Sequence, residues 1–174
     1  MQPPRQSALP GARSLYTAEE RRRRDASPWT LVQGVLAPLQ FIVFLVSLGL
    51  VVRFLWDGHG ESAATVSVVI KTLVLYTIMI TGSIWEKAVF GQYLFAEAFF
   101  WEDVVSMLVL ALHTLYLIGL VTGAIETRAL MFIALAAYAS YAVNATQFLL
   151  KLRAARIERP DARGAPQGVQ EALQ

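Results

Sequence analysis

No cysteine occurs anywhere in the 174-residue chain, which removes disulfides, iron–sulfur clusters, thiolate zinc sites and thiol redox chemistry together. Charged residues are also scarce, at 16% against 56% hydrophobic, a balance too apolar for an ordinary soluble domain. Of the two histidines only His113 falls inside an apolar run, so the chain lacks the paired axial ligands of a b-type haem. No HExxH, phosphate-binding glycine loop, GxSxG or dinucleotide fingerprint is present, and redox, hydride and phosphoryl chemistry have no residues to carry them. No acid lies in the first apolar run, which argues against a small proton-coupled exporter. Acid–base chemistry by carboxylates remains.

Four runs, near Leu31–Leu55, Ala64–Ile84, Val104–Gly123 and Ala129–Leu150, are long enough to cross a hydrocarbon core of about 30 Å, which takes roughly 20 helical residues. No water satisfies backbone groups at that depth, so each must be a helix. The reading is an all-α, polytopic membrane protein: four transmembrane helices in a bundle. The first run follows four arginines but is too long for a signal peptide and lacks a small-residue cleavage site, so it reads as a retained span. Arg5, Arg13 and Arg21 to Arg24 precede the first span, and Lys151, Arg153, Arg156, Arg159 and Arg163 follow the last. This bias places both termini in the cytoplasm, as an even number of spans requires. Topology accounts for the basic residues, and no nucleic-acid partner is implied.

Residues 1–28 read as a disordered basic tail, 29–152 as the transmembrane domain and 153–174 as a second disordered tail. Within the first tail, Thr17 and Glu20 have the spacing of a capping box for a short surface helix. Trp29 stands where an interfacial anchor belongs, and Pro38 should kink the first span or free a carbonyl within it. Gly91 marks a turn or re-entrant bend. Small faces such as Ala134, Ala137 and Ala145 allow close helix contacts and a homo-oligomer without specifying one.

The connector between the second and third spans reads WEKAVFGQYLFAEAFFWED from Trp85 to Asp103. Decorating a membrane interface takes aromatics, but not the cluster of Glu86, Glu97, Glu102 and Asp103. Rings mixed with carboxylates at a bilayer edge suggest a site for a flat, greasy substrate that needs proton chemistry. Glu102, Ser106 and His113 share one face of the third helix. His113 reads equally as a participant and as a neutral histidine bonded to a backbone carbonyl on a neighbouring helix. Lys71, about seven residues into its span, costs on the order of 3 kcal/mol there and is expected to snorkel outward on its long stem. Gln33, Gln40 and Ser47, with Tyr138, Tyr141, Asn144 and Gln147, read as hydrogen-bonding glue between helices. Asn144 is the exception, placed to orient a bound water.

The segments DASPWTLVQGVLAPLQFIVFLVSL, VVIKTLVLYTIMITGSIWEKAVFGQYLFAEAFFWEDVVSMLVLALHT and NATQFLLKLRAAR closely resemble the 3-vinyl (bacterio)chlorophyllide hydratases of purple phototrophic bacteria, from about Tyr16 to Arg156. The resemblance implies addition of water to the C3 vinyl group of chlorophyllide a or a bacteriochlorin relative, giving a 3-(1-hydroxyethyl) side chain on the way to bacteriochlorophyll. It also implies the bacterial inner (intracytoplasmic) membrane, contact with other pigment-biosynthesis enzymes, and no cofactor, because the substrate carries its own magnesium. A rival reading is a non-catalytic pigment-binding or assembly protein of the photosynthetic membrane.

The family supplies no catalytic residues to carry over, so roles follow from chemistry. Protonating the terminal CH2 gives a cation delocalised into the macrocycle, and water then adds to the inner carbon. A carboxylic acid kept neutral by burial suits the first task, and a charged neighbour suits the second. Glu102 or Asp103 is nominated as acid and Glu86 as base, with Trp85, Tyr93 and Trp101 packing on the tetrapyrrole face. His113 is left to relay protons or to approach the magnesium. Glu97 is expected to be solvated, and Lys87 to pair with a carboxylate.

Overall fold

The protein is described by a computed structural model over residues 15–157. Its helices are α1 (Ala18–Ala26), α2 (Pro28–Asp57), α3 (Glu61–Phe90), α4 (Phe100–Thr122) and α5 (Thr127–Ile157). The expectations of disorder for residues 1–14 and 158–174 lie outside the described residues. Helix α1 begins where the Thr17–Glu20 spacing puts it: Glu20 N–H donates to Thr17 Oγ1 and Thr17 N–H to the Glu20 carboxylate. Helices α2 to α5 are each long and apolar enough to cross a membrane.

The helices outrun the apolar stretches read from the sequence. Hydropathy reports only the part a lipid tail would touch, whereas caps decide where a helix stops. Pro28 opens α2 at its first position, where its missing N–H costs nothing. Gly58 closes α2 with φ 74°, a left-handed conformation that Gly adopts without a Cβ clash. Helix α2 runs continuously through Pro38, whose missing N–H leaves a carbonyl one turn earlier without its helical donor, a loss that transmembrane helices tolerate.

The bundle is two antiparallel hairpins, α2 with α3 and α4 with α5. They touch each other more lightly, through α2 against α5 and α3 against α4. Within the first hairpin, Gln33 Nε2 donates to Thr81 Oγ1 at 2.7 Å, and the Ser47 and Ser67 hydroxyls meet at 2.7 Å. In the second, Ala134 and Ala137 are fully buried and leave room for close backbone approach. Between hairpins, the Phe44 ring packs on Tyr141 and Tyr138 at centroid distances of 4.9 and 5.5 Å, while the hydroxyls of Tyr76 and Thr114 meet at 2.8 Å across α3 and α4. At the opposite end from the α3–α4 connector, Thr127 Oγ1 donates to Glu61.

Lys71 corrects one expectation. It does not snorkel outward; its side chain is fully buried, with Nζ 4.0 Å from the centre of the Tyr141 ring. The residue sits on the face of α3 that meets the second hairpin, so its stem runs through protein, and the ring's negative π face substitutes for water.

Phe44 carries much of the α2–α5 contact. Phe44→Ala is expected to destabilise the bundle by about 3 kcal/mol, read as earlier unfolding of the purified protein in a denaturing-detergent titration.

Candidate active site

The α3–α4 connector is built from the end of one helix and the start of the next. Gly91 caps α3 with φ 85°, the turn its position in the sequence predicts. Phe95 then adopts φ 60°, a left-handed conformation that costs a bulky residue on the order of 1 kcal/mol or more. The strain turns two successive backbone N–H groups inward. Phe95 N–H donates to Asp103 Oδ2 at 2.7 Å, and Ala96 N–H to Glu86 Oε2 at 3.3 Å.

Glu86, from the last turns of α3, and Asp103, from the first turn of α4, are 5% and 4% exposed, and their carboxyl groups are near neighbours. Two buried carboxyls placed side by side disfavour a second negative charge, the arrangement in which one proton is shared. Glu102 faces another way: its carboxylate receives Lys151 Nζ from α5, which also donates to the Ala98 carbonyl. The Lys151–Glu102 ion pair therefore stands beside two buried carboxyls, whose closeness favours a single shared negative charge. At the start of α4 the helix dipole favours that charge.

The aromatic residues divide into two sets. Phe99 is nearly fully buried and sits at the centre of a plug, with Tyr16, Trp85, Phe90 and Phe148 around it at 5.7 to 6.3 Å. Trp85 belongs to this plug and donates its indole N–H to Thr30 Oγ1 at 2.9 Å, so it packs protein where the sequence reading sets it against a ligand. Tyr16 carries α1 into the plug, stacking on Phe90 at 5.8 Å with the Arg24 guanidinium 4.7 Å above its ring; burial pushes its phenol above the ordinary range, and Arg24 pulls it back. The second set faces out: Trp101 is 69% and Tyr93 60% exposed. Phe95, Phe100 and Trp101 form an outward row, with neighbouring centroids 5.8 and 5.5 Å apart.

Glu97 is exposed. Lys87 donates to the Gly91 carbonyl at 2.6 Å and lies 5.3 Å from the Tyr93 ring centre, so it closes the helix end and pairs with no carboxylate among the described residues. Ser106 accepts from Asn144 Nδ2 at 2.7 Å, one turn beneath Glu102, and the Asn144 carbonyl oxygen is buried without a partner. His113 is fully buried in mid-bundle, with Nδ1 2.8 Å from the carbonyl of Val109 on its own helix, not on a neighbouring one.

Below the two carboxyls, α3 and α4 border a groove of about 270 Å³ lined by Tyr76, Met79, Ile80, Leu110 and Thr114. Sequence reasoning missed Lys151, which it used only as a topological charge. It also missed the two connector N–H groups, for which a side-chain sequence carries no signal.

A family model of 2-vinyl bacteriochlorophyllide hydratases matches residues 16–154. The protein named 2-vinyl bacteriochlorophyllide hydratase in Rhodobacter capsulatus is 67% identical over 149 residues, 86% of each chain. That of Cereibacter sphaeroides is 65% identical over 147 residues, 84% of this chain and 91% of its own. No solved structure matches.

Removing one partner of the Lys151–Glu102 pair strands a buried charge. Lys151→Met is expected to cost about 3 kcal/mol, while the double variant Lys151→Met/Glu102→Gln recovers most of it. A double-mutant cycle on unfolding midpoints measures the coupling.

Proposed function

The chain belongs to the 2-vinyl bacteriochlorophyllide hydratase family and is a hydratase of bacteriochlorophyll biosynthesis, and from that premise we propose that Glu86 and Asp103 together add water across the vinyl group. The vinyl position numbered 2 in the relatives' names is C3 in the numbering used above. The observation that carries the assignment is the closeness of the two buried carboxyls.

Hydrogen bonding separates their roles. Asp103 accepts the shorter backbone N–H bond, at 2.7 Å against 3.3 Å for Glu86, and the better-solvated oxygen keeps the charge. Glu86 therefore carries the proton, reversing the order nominated from sequence, and Glu102 serves as the partner of Lys151. Glu86 protonates the terminal CH2, a new C–H bond forms, and the electron pair of the vinyl double bond is consumed. The cation at the inner carbon is delocalised into the macrocycle and faces the Asp103 carboxylate. Water adds to that carbon while Asp103 takes its proton. The proton then returns from Asp103 to its neighbour Glu86, restoring the starting state with one water consumed. No cofactor enters, and the magnesium arrives within the substrate.

The groove between α3 and α4 supports lateral entry of the flat ring from the lipid, edge first, with the outward row of Phe95, Phe100 and Trp101 as a landing surface. Asn144, through Ser106, and its unpartnered carbonyl oxygen support a water position beside the acids. The arginines of the two tails support a cytoplasmic location for the termini and hence for the connector.

Glu86→Gln and Asp103→Asn are each expected to lower kcat by about 10² to 10⁴-fold, with Glu97→Gln indistinguishable from the parent. Membranes given 3-vinyl chlorophyllide report turnover as a blue shift and a mass gain of one water. Parent-like rates in both acid variants would remove the pair from the chemistry.

A further inference from the structure

His113 has an unused coordination site. A backbone carbonyl can only accept, so the 2.8 Å contact to Val109 O puts the ring proton on Nδ1 and leaves the lone pair on Nε2. That nitrogen is fully buried and has no partner. Histidines that bind metals are arranged in this way, one ring nitrogen donating to a carbonyl and the other turned to the metal. One imidazole is too little for a free ion. A magnesium already held by four pyrrole nitrogens, in contrast, is short of an axial donor only.

Further unmet polar groups come from the other hairpin, since the Gln40 amide and Lys71 Nζ are buried without hydrogen-bond partners. A close-packed apolar core would exclude such groups, whereas the oxygen substituents on the rim of a chlorophyllide would satisfy them. Thr114, the next residue along α4, lines the groove and hydrogen-bonds Tyr76, so His113 is at the depth of the groove, on the adjoining inner face of α4 with its ring 5.8 Å from Tyr138. Asp103 and His113 are ten residues apart, about 15 Å of helix rise. Side chains lean towards the N-terminus of their helix, so His113 on α4 and Glu86 on the antiparallel α3 incline towards each other and shorten that span.

We infer that His113 Nε2 is the axial ligand of the substrate's magnesium, fixing the macrocycle so that its vinyl edge meets the Glu86–Asp103 pair. This rests on the proposed function, which supplies the tetrapyrrole. Coordination locks the ring against sliding along the seam, so His113 acts by placing the vinyl group while the carboxyls move the protons.

The test compares magnesium 3-vinyl chlorophyllide with its metal-free counterpart, each bound to the purified full-length protein. The parent should bind the magnesium form roughly tenfold tighter or more, and His113→Leu should lose that preference while holding the metal-free pigment as the parent does. In protein labelled with ¹⁵N-histidine, the Nε2 resonance should move with the magnesium pigment and stay put with the metal-free one. His113→Gly, which leaves a cavity, should regain the preference when imidazole is added. An unchanged preference in His113→Leu, or an Nε2 resonance that responds alike to both pigments, overturns the inference. Product mass is measured separately: hydration without the magnesium preference defeats the axial ligand alone, and coordination without a mass gain of water in the parent defeats the proposed function alone.

Discussion

Two buried carboxyl groups brought side by side, one from each hairpin, organise this protein. Glu86 closes α3 and Asp103 opens α4, so their contact joins the hairpins at one end and forces the chain between them into a tight, strained path. Removing carboxyls from water is costly, and the cost is met locally by the connector N–H groups of Phe95 and Ala96. The left-handed Phe95 belongs to the same arrangement: a relaxed backbone there would turn its N–H away from Asp103.

Around this pair the molecule divides its aromatic residues by task. The plug centred on Phe99 excludes water and draws in α1 through Tyr16 and α2 through Thr30, which also donates to the Arg24 carbonyl at 2.6 Å. The exposed row of Phe95, Phe100 and Trp101 does no such packing and is free to meet a ligand or lipid. Lys151 supplies the remaining charge balance: it neutralises Glu102 and fixes the Ala98 carbonyl, holding the connector from below. The α3–α4 seam then carries, from one end inward, a proton-holding pair, an apolar groove and an imidazole with a free nitrogen. That order suits a flat, metal-bearing ring whose reactive edge has to meet acid and whose centre needs an anchor.

Much of this was legible in the chain. Four apolar runs set the number of helices, Thr17 and Glu20 set the start of α1, and Gly91 marked the turn. The Trp85–Asp103 block drew attention because its acids have no topological purpose. The face shared by Glu102, Ser106 and His113 followed from helical spacing, and all three residues are buried. Lys71 was misjudged because spacing along a helix says how deep a residue lies but not which neighbour it faces. Lys87 was misjudged because a nearby carbonyl at a helix end competes with any carboxylate.

Composition and periodicity by themselves determined an all-helical chain with four membrane-length helices and a block of acids and rings between the second and third of them. These properties are local: hydropathy, capping and turn chemistry act within a few residues. Only the tertiary structure decided that Glu86 lies beside Asp103 while Glu102 goes to Lys151, that Phe95 and Ala96 donate to the two carboxyls, and that the Gln40 amide, Lys71 Nζ and His113 Nε2 are buried without hydrogen-bond partners. Those facts depend on distances between helices far apart in the chain, and on backbone groups that every residue except proline carries alike, so no pattern of side-chain letters encodes them directly.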